Sequence, residues 1–315
     1  MNTIPFKSLL AVLLYVLLAS TSYGQETETP APLTQQDLKT VLTRLQSQAE
    51  KLDRQSPQRC ESNYQSIFGK ESLDVRMALF YGYTDTNHTV ADSGLAMAMT
   101  QHLQKPCLTS RVEACGFSIE SSVPGSVVLV RKLRVDNSVK TIHLTVASSS
   151  ATWNDFYNRD LNTGFWQQKD QTLRTEKNFH EALINSQVVF YSGHARLGGG
   201  PGFSPPTLLT GSLETKRRDS FKHLLADLRS RESQLQFLGY FACESEKYYS
   251  QELISSAPHL GLIVTEQELD SFDSEQSTLG ALNSILSRKC EPEFSDALIP
   301  AEHPEKDITK VQNFF

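Results

Sequence analysis

Two short apolar runs in this 315-residue chain each end on a residue able to take part in nucleophilic chemistry. The first, Val188-Val189-Phe190-Tyr191, leads into Ser192-Gly193-His194. The second, Leu235-Gln236-Phe237-Leu238-Gly239-Tyr240-Phe241-Ala242, leads into Cys243. Both are bounded and rich in β-branched or aromatic residues, which predicts strands covered on both faces, as in a parallel sheet. Open α/β sheets place their ligands just past the carboxyl ends of such strands. A His and a Cys at those ends can meet although 49 positions separate them. An imidazole that takes the thiol proton leaves thiolate, the nucleophilic form. A lone Cys is ordinarily a small buried hydrophobe, and a lone His is ordinarily just packed or solvated. The argument rests on the conjunction.

The rest of the chain supplies the layers around such a sheet. Val75–Tyr83 and Leu260–Thr265 have strand character. Val127–Val135 and Val139–Val146, joined by Asp136-Asn137, predict a hairpin. A short strand is expected at Phe117–Ile119. Helical apolar spacing recurs at Leu95, Ala96, Met99 and Leu103, at Phe179, Ala182 and Leu183, at Phe221, Leu224, Leu225 and Leu228, and at Leu279, Leu282, Ile285 and Leu286. A further helix is expected from Glu246 to Ser255. Residues 148–173 are Ser, Asn, Asp and Gln rich and predict a long loop or a partly ordered insertion. Residues 197–206 are dense in Gly and Pro and predict a flexible or tightly wound loop beside His194. It lacks the Gly-Lys-Ser/Thr ending of a phosphate loop. Strands alternating with helices over 75–290 predict an α/β fold, a mostly parallel sheet flanked by helices.

At these motifs the sequence resembles the caspase, gingipain, separase and bacterial CHAT cysteine peptidases. In that family an apolar strand ends in Gly-His-Gly or a variant, and a second ends in Ala-Cys about fifty residues later. The matching strings here are Ser192-Gly193-His194-Ala195 and Phe241-Ala242-Cys243-Glu244-Ser245, and Ala-Cys-x-Ser is most similar to the CHAT version. The resemblance spans roughly 75–290. It implies a caspase-like fold and a Cys243/His194 dyad acting on polypeptides. It also implies an oxyanion site from the backbone N–H groups of Ala195 and Cys243. Two positions depart from the pattern: Ala195 follows the His where Gly is usual, and Glu246 stands where CHAT sequences often have Gly. The alternative these departures suggest is a non-catalytic binding module of the cell envelope that holds a peptide ligand. In the peptidase reading Arg196 or Asp85 contributes to substrate binding, Arg196 by attracting acidic and Asp85 (with Asp92) by attracting basic side chains.

The N-terminus has the pattern of a secretory signal: Lys7, an apolar Ser8–Ala19, and small residues Ser22 and Gly24 before a cleavage point. The expected organisation is a signal peptide over 1–24, a linker over 25–33 and a helical extension over 34–74. Within that extension Leu38, Val41, Leu42, Leu45, Ala49 and Leu52 share one helical face. The α/β domain over 75–290 follows, then an irregular tail over 291–315. The protein is expected to be exported, periplasmic or secreted, with no membrane span after cleavage. Five cysteines in an exported chain suggest two disulfides and one free thiol. Cys60, Cys107, Cys115 and Cys290 allow three pairings. The preferred one is Cys107–Cys115, a local loop, with Cys60–Cys290 joining the flanks, which leaves Cys243 free. The net charge of −6 carries no basic stripe for nucleic acid. The scattered histidines and the cysteine spacing suggest no metal site and no cofactor.

Overall fold

The computed structural model describes residues 58–69, 73–83, 91–108, 112–150, 165–195, 198–204, 219–301 and 309–315. The expected signal peptide, linker and amphipathic helix before residue 54 lie outside the described residues.

Eight strands form one sheet in the order β2-β3-β4-β1-β5-β6-β7-β8. They are β1 (Asp74–Tyr81), β2 (Ser118–Val123), β3 (Ser126–Val135), β4 (Ser138–Ser148), β5 (Val188–Ser192), β6 (Phe237–Phe241), β7 (Gly261–Thr265) and β8 (Thr309–Gln312). Neighbours among β4, β1, β5, β6 and β7 are parallel. The two margins are antiparallel: β2-β3-β4 on one side and β8 on the other. This is the expected α/β architecture. The chain leaves β1 toward β4 and then returns to the other side of β1 as β5. The order of connection therefore reverses between β1 and β5, the position where open sheets take ligands at their carboxyl ends.

Side-chain alternation along each strand divides the core into two layers. On one face Val75, Met77, Leu79, Val188, Phe190, Phe237 and Ile263 pack under a helix over 58–68 (α1), α2 (Ala91–Gln104), α6 (Ser271–Leu286) and α7 (Glu293–Asp296). On the other face Ala78, Phe80, Val189, Tyr191, Leu238, Tyr240 and Leu262 pack under α3 (Phe165–Asn185), α4 (Asp219–Leu228) and α5 (Ser245–Ser256). Burial on both sides is why β5 and β6 are continuously apolar. On β4, by contrast, Ile142, Leu144 and Val146 are buried while His143 and Thr145 stay half-exposed.

The long loop or partly ordered insertion expected over 148–173 is partly helix, because α3 starts at Phe165. The buried face of its first turns is built from Thr172 and Thr175, which hides the apolar period. Both hydroxyls donate to carbonyls at the end of β4: Thr175 to Ser148 (2.8 Å) and Thr172 to Ser150 (3.1 Å). The C-terminal tail is likewise not irregular, since it holds α7 and β8. Phe314 is fully buried, with ring centroids 4.8 Å from Phe237 and 5.1 Å from Tyr64. Gly261 makes room for it: a Cβ there would lie 2.5 Å from the Phe314 ring.

Both expected disulfides are present, Cys60–Cys290 and Cys107–Cys115, with Cα atoms 6.0 and 5.2 Å apart. Their sequence separations are 230 and 8 residues. By loop entropy the long link restricts the unfolded chain by roughly 5 kcal/mol and the short one by about 2.5 kcal/mol. Replacing Cys60 and Cys290 together by Ala is therefore expected to cost about twice as much as replacing Cys107 and Cys115. Urea unfolding of the two double variants measures this, and equal losses would contradict it.

Candidate functional site

β5 and β6 pair in parallel with Ser192 opposite Phe241. The Gly193 N–H extends the pairing by donating to the Phe241 carbonyl at 3.2 Å. His194 and Cys243 thus leave the sheet on neighbouring strands at the same carboxyl edge, and both side chains are half-buried. Cys243 is the free cysteine. Its Sγ lies 3.6 Å from the Leu269 carbonyl, just ahead of α6. The His194 ring centroid is 5.9 Å from that of Tyr83, past the end of β1.

The turn carrying His194 is built around one phenol. Tyr191 Oη lies 3.1 Å from the His194 carbonyl and 3.2 Å from that of Gly202, and accepts from the Gly202 N–H at 2.7 Å. A Cβ on Gly193 would lie 2.6 Å from that oxygen, and one on Gly82 would lie 2.5 Å from it. The glycine before His194 is thus fixed by packing: the hydroxyl occupies the place of a side chain. The described part of the Gly-rich segment after His194, residues 198–204, is tightly wound. Gly198 and Gly200 have φ of 92° and 102°, a region side chains avoid. Tyr249 Oη accepts from the Gly200 N–H at 2.9 Å and donates to the Ala195 carbonyl.

The Cys243 turn has its own frame. Ser245, the last residue of the Ala-Cys-x-Ser string, is fully buried. Its Oγ donates to the Tyr240 carbonyl at 2.9 Å and accepts from the Thr265 N–H at 2.8 Å. Thr265 Oγ1 in turn donates to the Ala242 carbonyl. Buried, mutually satisfied hydroxyls of this kind hold a turn to one geometry. Glu244, directly after the thiol, has φ 49° and ψ 32°, left-handed values for a residue with a side chain, at a cost of order 1–3 kcal/mol. Its N–H donates to the Gln267 carbonyl at 2.9 Å. Glu246 faces β8: its Oε1 accepts from Lys310 Nζ at 2.8 Å and from Gln312 Nε2 at 3.2 Å.

Among the described residues, the backbone N–H groups of Ala195 and Cys243 have no acceptor. The structure brings those two groups, His194 and Cys243 to one edge. Arg196 and Asp85 lie outside the described residues. Asp92 is corrected: it is fully buried, accepting from Ser149 Oγ at 2.6 Å and from the Ser93 N–H at 2.9 Å, so it is committed to the fold and unavailable to a basic side chain. Tyr191, Tyr249 and Thr265 escape sequence reasoning, since each reads as an ordinary core or turn residue, whereas Ser245 is marked by the Ala-Cys-x-Ser string but not by its role. The only signal for Tyr191 is its place three residues before the His, with a glycine between.

No protein-family model, curated protein or solved structure matches the chain.

Two outcomes follow from the tyrosine frame. Gly193→Ala should cost about 1–3 kcal/mol by overpacking against Tyr191. Part of that cost should disappear in the Tyr191→Phe background, where the obstructing oxygen is gone. Thermal unfolding of the single and double variants gives the coupling, and strict additivity would refute the steric reading. Burial pushes the Tyr249 phenol up to about 12 and also raises the phenols of Tyr81 and Tyr240. Below the ordinary tyrosine value of ~10 folded and unfolded chains both keep these protons, and the stability is fully present. Above it the unfolded chain releases them first, so stability should fall steadily as pH rises toward 12. Urea midpoints measured across this alkaline range, with tyrosinate absorbance appearing only on unfolding, check the expectation.

Proposed function

We propose that this protein is an exported cysteine peptidase that cleaves polypeptides with a Cys243/His194 dyad. The single observation that supports it most is the register of β5 and β6, which sets the free thiol and the imidazole on adjacent parallel strands at one carboxyl edge. Two disulfides suit an oxidising compartment outside the cytosol. No helix among the described residues is long and apolar enough to cross a membrane.

In this reading His194 takes the Cys243 proton and the sulfur attacks the scissile carbonyl carbon. The C–S bond forms, and the carbonyl electrons move onto oxygen, where the Cys243 and Ala195 N–H groups stabilise them. Collapse of the intermediate breaks the C–N bond, and the leaving amine receives the proton from His194. Water, deprotonated by His194, then attacks the thioester; the acid product leaves, and the proton returns to sulfur. Tyr191 and Tyr249 act on the turn backbone as positioning residues, and Ser245 and Thr265 do the same for the Cys243 turn. Glu246 is directed at β8, which removes one reason to treat it as the mark of a lost activity.

Cys243 should react with iodoacetamide at least about tenfold faster than a free model thiol, because His194 takes the proton as the sulfur attacks. His194→Ala should abolish that advantage, and Cys243→Ala should abolish peptide cleavage. Peptide mapping by mass spectrometry measures both. If alkylation is slow and indifferent to His194, the peptidase reading fails and the binding-module reading replaces it.

A further inference from the structure

A groove of about 470 Å³ opens at the same carboxyl edge, between α2 and the β2–β3 hairpin. Its mouth is formed by Ser93 at the start of α2, Ser126 at the start of β3 and Ser148 at the end of β4, and it runs along α2 past Gln101 to Gln104. The volume falls within the range of ligand sites. Fourteen residues line it and none is charged, although 21% of the chain is Asp, Glu, Lys or Arg. The walls are hydroxyls and carboxamides over an apolar floor that includes Ala96, Val127 and Val146. Gln171 closes one side: its Nε2 donates to the Ser148 carbonyl at 3.1 Å, and it packs where a Cβ of Gly125 would lie. Met97 and Val123 stand 60% exposed at the groove, so apolar surface there is left uncovered by the described chain. Uncharged donors and acceptors beside an apolar floor fit an uncharged polar segment. A charged side chain would be desolvated there with no partner.

The groove's position relative to the dyad says which part of a substrate it meets. Along the edge the order is β4, β1, β5 with His194, then β6 with Cys243. His194 delivers its proton to the leaving amine, so the half of the substrate after the scissile bond lies on the His194 side of Cys243. That side leads across β1 to β4 and the groove. Three strand spacings of ~4.8 Å separate β6 from β4, and an extended chain covers ~3.4 Å per residue. We propose that this groove is a specificity subsite for the leaving half of the polypeptide substrate, selecting uncharged polar side chains (Ser, Thr, Asn, Gln) about four residues beyond the cleaved bond. The proposal rests on the peptidase reading for its place in the substrate; the groove's preference for a neutral polar chain stands apart from catalysis.

Two measurements separate them. The first uses the Cys243→Ala protein and a fluorescent hexapeptide of Ser, Gln and Asn, compared with analogues carrying Lys or Glu at one central position. Anisotropy should show the neutral peptide binding about tenfold tighter than either charged analogue, a step of 1.4 kcal/mol. Gln104 is exposed on α2, where Lys and Glu are good helix formers. Gln104→Lys should therefore fold normally and move the preference to the Glu analogue, and Gln104→Glu should move it to the Lys analogue. The second profiles cleavage of a peptide library by the wild-type chain and by both Gln104 variants. Gln104 lies eleven residues along α2 from Ser93, about 16 Å or about five extended residues beyond that edge. Enrichment of uncharged polar residues should therefore begin about four positions after the cut and change with the introduced charge about nine positions after it, while substrates ending before the groove should be cut equally by all three. If the peptides bind alike and binding ignores the Gln104 charge, the subsite is refuted whatever Cys243 does. Charge-dependent binding without cleavage or fast alkylation of Cys243 would leave the groove standing and overturn the peptidase reading and the groove's place in a substrate. Cleavage with a flat profile at those positions would do the reverse.

Discussion

Burial of the parallel strands on both faces is the constraint from which the rest follows. With helices on each side, the strand interiors admit only apolar side chains, and β5 and β6 are buried throughout. Polar chemistry is displaced to where the strands end. At the carboxyl edge stand Ser148, Ser149 and Ser150 after β4, Ser192 and His194 after β5, Cys243 after β6 and Thr265 at the end of β7. The parallel register makes these ends neighbours, so residues remote in sequence become a continuous polar rim. Ser192 Oγ, 2.7 Å from Ser274 Oγ, and Ser149, bonded to Asp92, show how the rim is tied to the helices on one face. The groove beside β4 opens on that same rim.

How much of this was legible follows from which signals are local. Strand ends, apolar stripes and cysteine parity are local or arithmetical, and from them came the α/β class, the pairing of Cys60 with Cys290, and the placing of His194 and Cys243 on adjoining strands. What stayed hidden depends on partners distant in sequence. The β8 segment Thr309-Lys310-Val311-Gln312 is polar and four residues long, and only β7 makes it a strand. The β2 segment Ser-Ile-Glu-Ser-Ser-Val is exposed at every residue, so its boundary carries no burial signal. The start of α3 is masked by buried threonines. Asp92 looked available for binding because a free and a capping carboxylate are the same letter; only Ser149, 57 residues away, distinguishes them.

The carboxylate of Glu246 is taken by the C-terminal strand β8. Magnitude decides what this does. Glu246 and Lys310 are 28% and 50% exposed, so the ion pair itself contributes at most about 1 kcal/mol. Burying the Phe314 ring contributes about 2–3 kcal/mol, and the β7–β8 ladder and the 2.7 Å bond from Ser250 Oγ to Gln312 Oε1 add to it. The tail is therefore anchored by Phe314 and its strand pairing, while Glu246 sets the alignment of α5 against it.

That alignment matters because α5 begins two residues after Cys243 and its first residue, Ser245, is hydrogen-bonded to both β6 and β7. A shift of β8 along β7 would be transmitted through Lys310, Gln312 and Ser250 to the helix that fixes the thiol's turn. The His194 turn has a separate frame: Tyr191 and the glycines around it belong to β5, β1 and the Gly-rich segment, with Tyr249 of α5 joining the two frames through Ala195. Tyr249 thus links the Cys243 helix to the His194 turn. Its phenol bridges the Ala195 carbonyl and the Gly200 N–H, so the relative position of imidazole and sulfur depends on a buried, neutral tyrosine.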